Sequence, residues 1–102
     1  MSPQAATAMQ LAKTSVNQSQ TVRIRPADSQ YSEEIRTTLN VSWEELYFAT
    51  SIGCYFSGML VNVTLDYRPN DPANREEQGT VLRVDKLKEN RWGVAVHFSL
   101  NI

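Results

Sequence analysis

"LNVSWEELYFAT", residues 39–50, alternates apolar and polar side chains on both sides of a short polar break. Leu39 and Val41 share one face before the break, and Leu46 and Phe48 share one face after it. Period-two alternation of this kind is the mark of half-buried strands, so the stretch reads as two strands joined by a tight turn. The turn itself is unusual. It carries Trp43, Glu44 and Glu45, where a tight connection normally uses glycine, asparagine or aspartate.

The same periodicity extends in both directions. Upstream, "TVRIR" (21–25) sets Val22 and Ile24 on one face and Arg23 and Arg25 on the other, and Pro26 opens a turn-rich connection. "EIRTTLNVS" (34–42) places Ile35, Thr37, Leu39 and Val41 together. Downstream, "SIGCYFSG" (51–58) reads as a loop. "MLVNVTLDY" (59–67) turns Met59, Val61, Val63 and Leu65 inward. "RPNDPANREEQ" (68–78) is a charged loop, "GTVLRVD" (79–85) has Leu82 and Val84 inward, "KENR" (88–91) is a turn, and "GVAVHFSL" (93–100) turns Val94, Val96 and Phe98 inward. Six short strands with turn signals between them, spaced as an antiparallel meander, predict an all-β barrel or sandwich.

At 102 residues the chain has room for a single core. Residues 1–19 are rich in Ala, Gln, Ser and Thr and are expected to form a flexible arm; residues 20–102 form the barrel. The formal net charge is −1, which argues against a surface built to track nucleic-acid backbones. A single cysteine, Cys54, allows no intrachain disulfide. The first twenty residues lack a charged start followed by an apolar block, and no apolar run is long enough to span a bilayer. A cytoplasmic protein with no membrane insertion is expected.

Catalytic chemistry has little to stand on. His97 and Cys54 are the sole histidine and cysteine, so no His/Cys metal cluster can form. His97 falls on the face opposite Val96 and Phe98, toward solvent. The pairs Glu33/Glu34, Glu44/Glu45 and Glu76/Glu77 are adjacent in sequence, so in a strand each pair points to opposite faces and reads as solvated charge. No enzyme activity, metal or cofactor is expected.

The order of features in residues 20–98 resembles the PilZ domain, a small six-stranded β-barrel of bacterial cyclic di-GMP signalling. Three stretches carry the resemblance. "TLNVSWEELYFAT" looks like that family's second strand, turn and third strand, where an Asp/Asn-x-Ser-x-x-Gly motif sits in the turn. "GMLVNVTLDY" looks like the strand that follows. "GTVLRVDKLKENRWGVAVHF" looks like the last hairpin. The resemblance implies a six-stranded antiparallel PilZ-like barrel with a site in which two arginines, spaced Arg-x-x-x-Arg before the first strand, grip phosphates and stack on guanine. The Asp/Asn and Ser bind a guanine edge, and the glycine admits backbone close to the ligand.

Here that motif is degenerate. Asn40 and Ser42 match, but Glu45 stands at the glycine position and brings bulk and negative charge beside an anionic ligand. No Arg-x-x-x-Arg occurs in the chain, and Lys13 is the sole cation before the first strand. The residual ligand residues are Asn40 and Ser42, with Arg23 and Arg25 as the nearest cations. Cyclic di-GMP binding is therefore expected to be weak or absent. Trp43 either folds back on the barrel or faces a partner, and Trp43, Glu44, Glu45 and Tyr47 are the candidate partner-binding residues. The expected function is a PilZ-type regulatory adaptor that contacts another bacterial protein. One alternative is a cyclic di-GMP receptor that uses Lys13, Arg23 or Arg25 as substitute cations. Another is a single-stranded nucleic-acid binder built on Arg23, Arg25, Arg36, Trp43 and Tyr47, against which the acidic balance speaks.

Overall fold

The structure, a computed structural model, describes residues 19–99. The expected arm therefore lies outside the described residues except for Ser19. Six strands follow in chain order: β1 (Thr21–Pro26), β2 (Glu34–Val41), β3 (Glu45–Thr50), β4 (Leu60–Thr64), β5 (Glu76–Lys88) and β6 (Arg91–Phe98). They close into an antiparallel barrel in the order β1-β2-β3-β6-β5-β4, so the all-β reading holds. No helix of the described residues is long and apolar enough to cross a membrane.

The meander does not hold. β3 pairs with β6, and β4 lies between β5 and β1. Between Thr50 and Leu60 the chain crosses the end of the barrel instead of turning back on itself. That crossing is not a passive loop. Tyr55 and Met59 are buried on it, and the Tyr55 ring meets Phe48 edge-on with centroids 5.6 Å apart. Gly58, at φ 93°, turns the chain into β4, where an L side chain would be strained. Its amide donates to the Val81 carbonyl at 2.8 Å, and the Val81 amide donates to the Met59 carbonyl at 2.9 Å. The crossing thus plugs one end of the barrel with apolar surface and satisfies its backbone against β5.

Val22, Ile24, Leu46, Phe48, Val61, Val63, Val94, Val96 and Phe98 fill the interior, as alternation predicts. Burying each such side chain contributes about 1.5–3 kcal/mol before entropy is counted. Leu65 and Val84 are partly buried and pack against this core.

Two inward assignments fail. Leu39 is 56% exposed and Leu82 is 43% exposed, while Val81 is inside at 1%. Both failures have one cause. The β2–β3 register shifts between Thr38 and Asn40, and the β5–β6 register shifts between Val81 and Arg83. Each shift is a bulge that adds a residue to one strand and bends it, as a small closed barrel requires. Before its bulge β2 buries Glu34 and Thr38, and after it Val41. Ile35, Thr37 and Leu39 therefore face outward, although strict alternation groups them with Val41.

Candidate functional site

The turn after β2 closes on Ser42. Its amide donates to the Glu45 carbonyl at 2.8 Å. Its hydroxyl oxygen accepts from the amides of Glu44 at 3.3 Å and Glu45 at 3.2 Å. The Phe98 amide donates to the Glu44 carbonyl at 2.8 Å and ties the turn to β6. Val41 and Leu46 are buried on either side. Among the described residues, positive φ occurs only at Gly58, Asp66, Asn70 and Asn90. This turn therefore has no left-handed position, and nothing in its backbone calls for glycine. The Ser42 hydroxyl supplies the local bonding that lets Trp43, Glu44 and Glu45 stand there.

Trp43 does not fold back. It is 61% exposed, the most exposed large apolar side chain among the described residues. Glu44 is exposed beside it, and Glu45 is half-buried on β3 opposite His97. Asn40 is exposed on β2 opposite Tyr47. Ser42, Trp43 and Glu44 thus form one protruding rim, with Asn40 and Glu45 at its base.

Arg23 and Arg25 do not join that rim. They share the outer face of β1, where Arg23 pairs with Ile35 of β2, five residues along the strand from Asn40. At about 3.3 Å per residue this separates them by roughly 17 Å. Nor is either a plain solvated cation. Arg25 grips Glu76 through two parallel bonds, Nε to Oε2 at 2.7 Å and Nη2 to Oε1 at 2.6 Å. Arg23 reaches the same carboxylate at 3.3 Å, and its guanidinium lies 5.1 Å from the centroid of the Tyr67 ring. The hydrogen bond to Arg25, with the charges of both arginines, holds the Glu76 carboxyl below its ordinary range, and the same bond raises Arg25. A nucleotide phosphate would have to compete with a carboxylate already held in fork geometry.

Tyr47 is also committed. Its ring lies across β6 so closely that a Cβ at Gly93 would come within 1.9 Å of the hydroxyl. The hydroxyl donates to Asp85 Oδ2 at 2.9 Å, and the Arg83 guanidinium sits 5.7 Å from the ring centroid. Burial, then the bond to Asp85, pushes the phenol pKa up. Tyr47 therefore works as a strut across the outer face of β3, β6 and β5.

Sequence reasoning missed Glu34, which reads as solvated charge but is buried at 7% exposure. Its carboxylate accepts from the Thr50 hydroxyl at 2.8 Å and from the Tyr55 hydroxyl and Arg36 Nε. Arg36, a candidate for nucleic-acid contact, is thereby tied to the barrel. Burial, then the bond to Glu34, pushes the Tyr55 phenol far up. The available signal was the polar parity of Glu34, Arg36 and Thr38 on β2. Cys54 adjoins this cluster, and burial and the nearby Glu34 charge raise its thiol pKa, which lowers its reactivity at neutral pH. His97 is exposed on the outer face of β6, as expected.

A closed six-stranded antiparallel barrel, with Asn40 and Ser42 at the end of its second strand and in the turn that follows, is the PilZ-like fold that the resemblance implied. Among solved structures, the Bacillus subtilis inhibitor of motility, MotI/DgrA, is similar to this chain with a TM-score of 0.63 and 18% sequence identity, over 87% of this chain and 42% of that one. The chain thus spans less than half the length of that protein, and a likeness at this identity is one of fold. No protein-family profile matches the chain, and no curated protein does.

Proposed function

We propose that this barrel is a PilZ-type regulatory domain that acts by contact with another bacterial protein and does not bind cyclic di-GMP through the family's usual site. The observation that carries the reading is Trp43, which stands 61% exposed on a turn held by Ser42 and β6. A large aromatic presented on a pre-ordered support loses little conformational freedom on docking and is the residue type that dominates interface energies. Glu44 and Glu45 set the charge of the rim and so favour specificity and encounter rate. The likeness in fold to an inhibitor of motility supports a regulatory role. The engagement of Arg23 and Arg25 by Glu76 supports loss of the nucleotide site. The proposed role involves no catalysis and is placed in the cytoplasm.

A photo-crosslinking amino acid at position 43, introduced in the full chain in its own cells, tests this. A discrete protein adduct is expected at position 43 and not at exposed Ser29, in the β1–β2 connection at the opposite end of the barrel. Truncating Trp43 to alanine should weaken binding of the protein so identified by more than about 2 kcal/mol. The absence of any discrete adduct, or an equal one from position 29, overturns the reading.

A further inference from the structure

β5 is much longer than the strand beside it. β4 pairs with β5 over Glu76–Thr80, and Gly58 and Met59 carry the contact on to Val81. The Ser57 hydroxyl then donates to the Leu82 carbonyl at 3.0 Å. Beyond that point β5 runs to Lys88 with β6 as its partner. Its second edge, Arg83–Lys88, has no strand beside it among the described residues. An edge of this kind presents a row of unpaired amides and carbonyls.

The surroundings of the edge define what fits it. Phe56, Leu60 and Leu82 are exposed near its start and Leu87 toward its end, so apolar side chains can be covered at both ends. The charge is one-sided. In residues 86–91, "KLKENR", three cations accompany one anion, Glu89. Arg83 is matched by Asp85 at 3.3 Å, but the ion pairs of the described residues give Lys86, Lys88 and Arg91 no carboxylate. Lys86 lies over the Trp92 ring, 5.3 Å from its centroid.

We propose that the free edge of Arg83–Lys88 takes up an extended acidic segment of a partner protein as an added strand. Backbone pairing supplies the attachment, and Lys86, Lys88 and Arg91 select for carboxylates. The same cations resist pairing with a second copy of the edge, since lysines on an edge repel their like. The surface is separate from the Trp43 turn. β3 pairs Glu45 with His97 near that turn and Thr50 with Trp92 near the hairpin tip, so the two lie toward opposite ends of one ladder. The inference stands whether or not the turn binds a partner.

Three acetylated peptides test it against the isotope-labelled full chain by nuclear magnetic resonance: alternating valine and glutamate, alternating valine and lysine, and the glutamate peptide with a central proline. The glutamate peptide is expected to shift the amide signals of residues 83–88 and slow their hydrogen exchange. Lys86→Glu with Lys88→Glu, both on exposed side chains, should weaken its binding by at least about tenfold. The proline peptide should lose the exchange protection, because proline cannot donate to the new ladder. Equal binding of the lysine peptide, undiminished protection by the proline peptide, shifts confined to the Trp43 turn, or no binding at millimolar peptide would each overturn the proposal. Displacement of the glutamate peptide by a single-stranded oligonucleotide with a higher affinity for the same amides would also overturn it, in favour of a nucleic-acid surface.

Discussion

Trp43 sits on a turn that holds together without it. Ser42 accepts two turn amides, and Val41 and Leu46 anchor both ends. Trp43→Ala should therefore change unfolding stability by no more than about 0.5 kcal/mol, the range of surface substitutions. A loss of several kcal/mol in thermal unfolding would make the tryptophan a packing residue and leave the turn purely structural. Gly93 gives the opposite case. With Tyr47 lying on it, Gly93→Ala should cost about 1–3 kcal/mol through overpacking, with loss of the Tyr47–Asp85 bond. Chemical denaturation measures the cost, and an unchanged midpoint would mean that Tyr47 moves freely off β6. At this scale the outward arginines were legible in the sequence, whereas the sequence left Trp43 between folding back and facing out, and only the structure shows it exposed. The partners of Arg23, Arg25 and Tyr47 were not legible, because Glu76 and Asp85 lie on β5, far along the chain, and reach them only once the barrel has closed.

The strands were legible where alternation runs unbroken. "ELYFAT" is β3 residue for residue, and "KENR" is the β5–β6 turn. The reading failed at two of the three bulges, those at Thr38–Asn40 and Val81–Arg83, where one added residue reverses which face is buried, so Leu39 and Leu82 emerge and Val81 turns in. A bulge leaves no mark in hydropathy when apolar residues stand on both parities. Glu34 was hidden for the same reason, since Ile35 beside it seemed the better inward residue. Strand pairing also governs pH response. Glu76 opens β5 and holds two arginines of β1 across β4. Its carboxyl pKa is lowered from an ordinary 4.5, chiefly by the bond to Arg25. A lowered carboxyl pKa adds stability above the unfolded value and loses it as pH falls through the folded one. Thermal unfolding from neutral pH to below about 4 should therefore show a smaller acid loss in Glu76→Gln than in the native chain. Identical acid profiles would mean that the fork contributes nothing in solution.

For the whole molecule, alternation was enough to predict six strands in a barrel or sandwich, and the resemblance chose the barrel, but neither gave the order of the strands. The crossing from β3 to β4 is written in Tyr55, which looks like a loop residue until the barrel end it fills exists, and in Met59, which reads inward and is buried there. Closure also supports the turn after β2. Ser42 closes it internally, so its backbone holds with Glu45 at the position where the PilZ motif has glycine. Arg23 and Arg25 remain, but they lie far along β2 from Asn40 and are engaged by Glu76. Each charge-assisted bond that a phosphate would lose is worth about 1.5–3 kcal/mol, and every 1.4 kcal/mol is about tenfold in affinity.

The proposed absence of cyclic di-GMP binding at this turn is tested most directly by isothermal titration calorimetry of the full chain with the nucleotide at low salt. The account predicts no binding at micromolar nucleotide, and none after Glu45→Gly, because the arginine pair is still missing. Micromolar affinity in the native chain, abolished by Arg23→Ala or Arg25→Ala, would contradict it and make the barrel a nucleotide receptor with substitute cations.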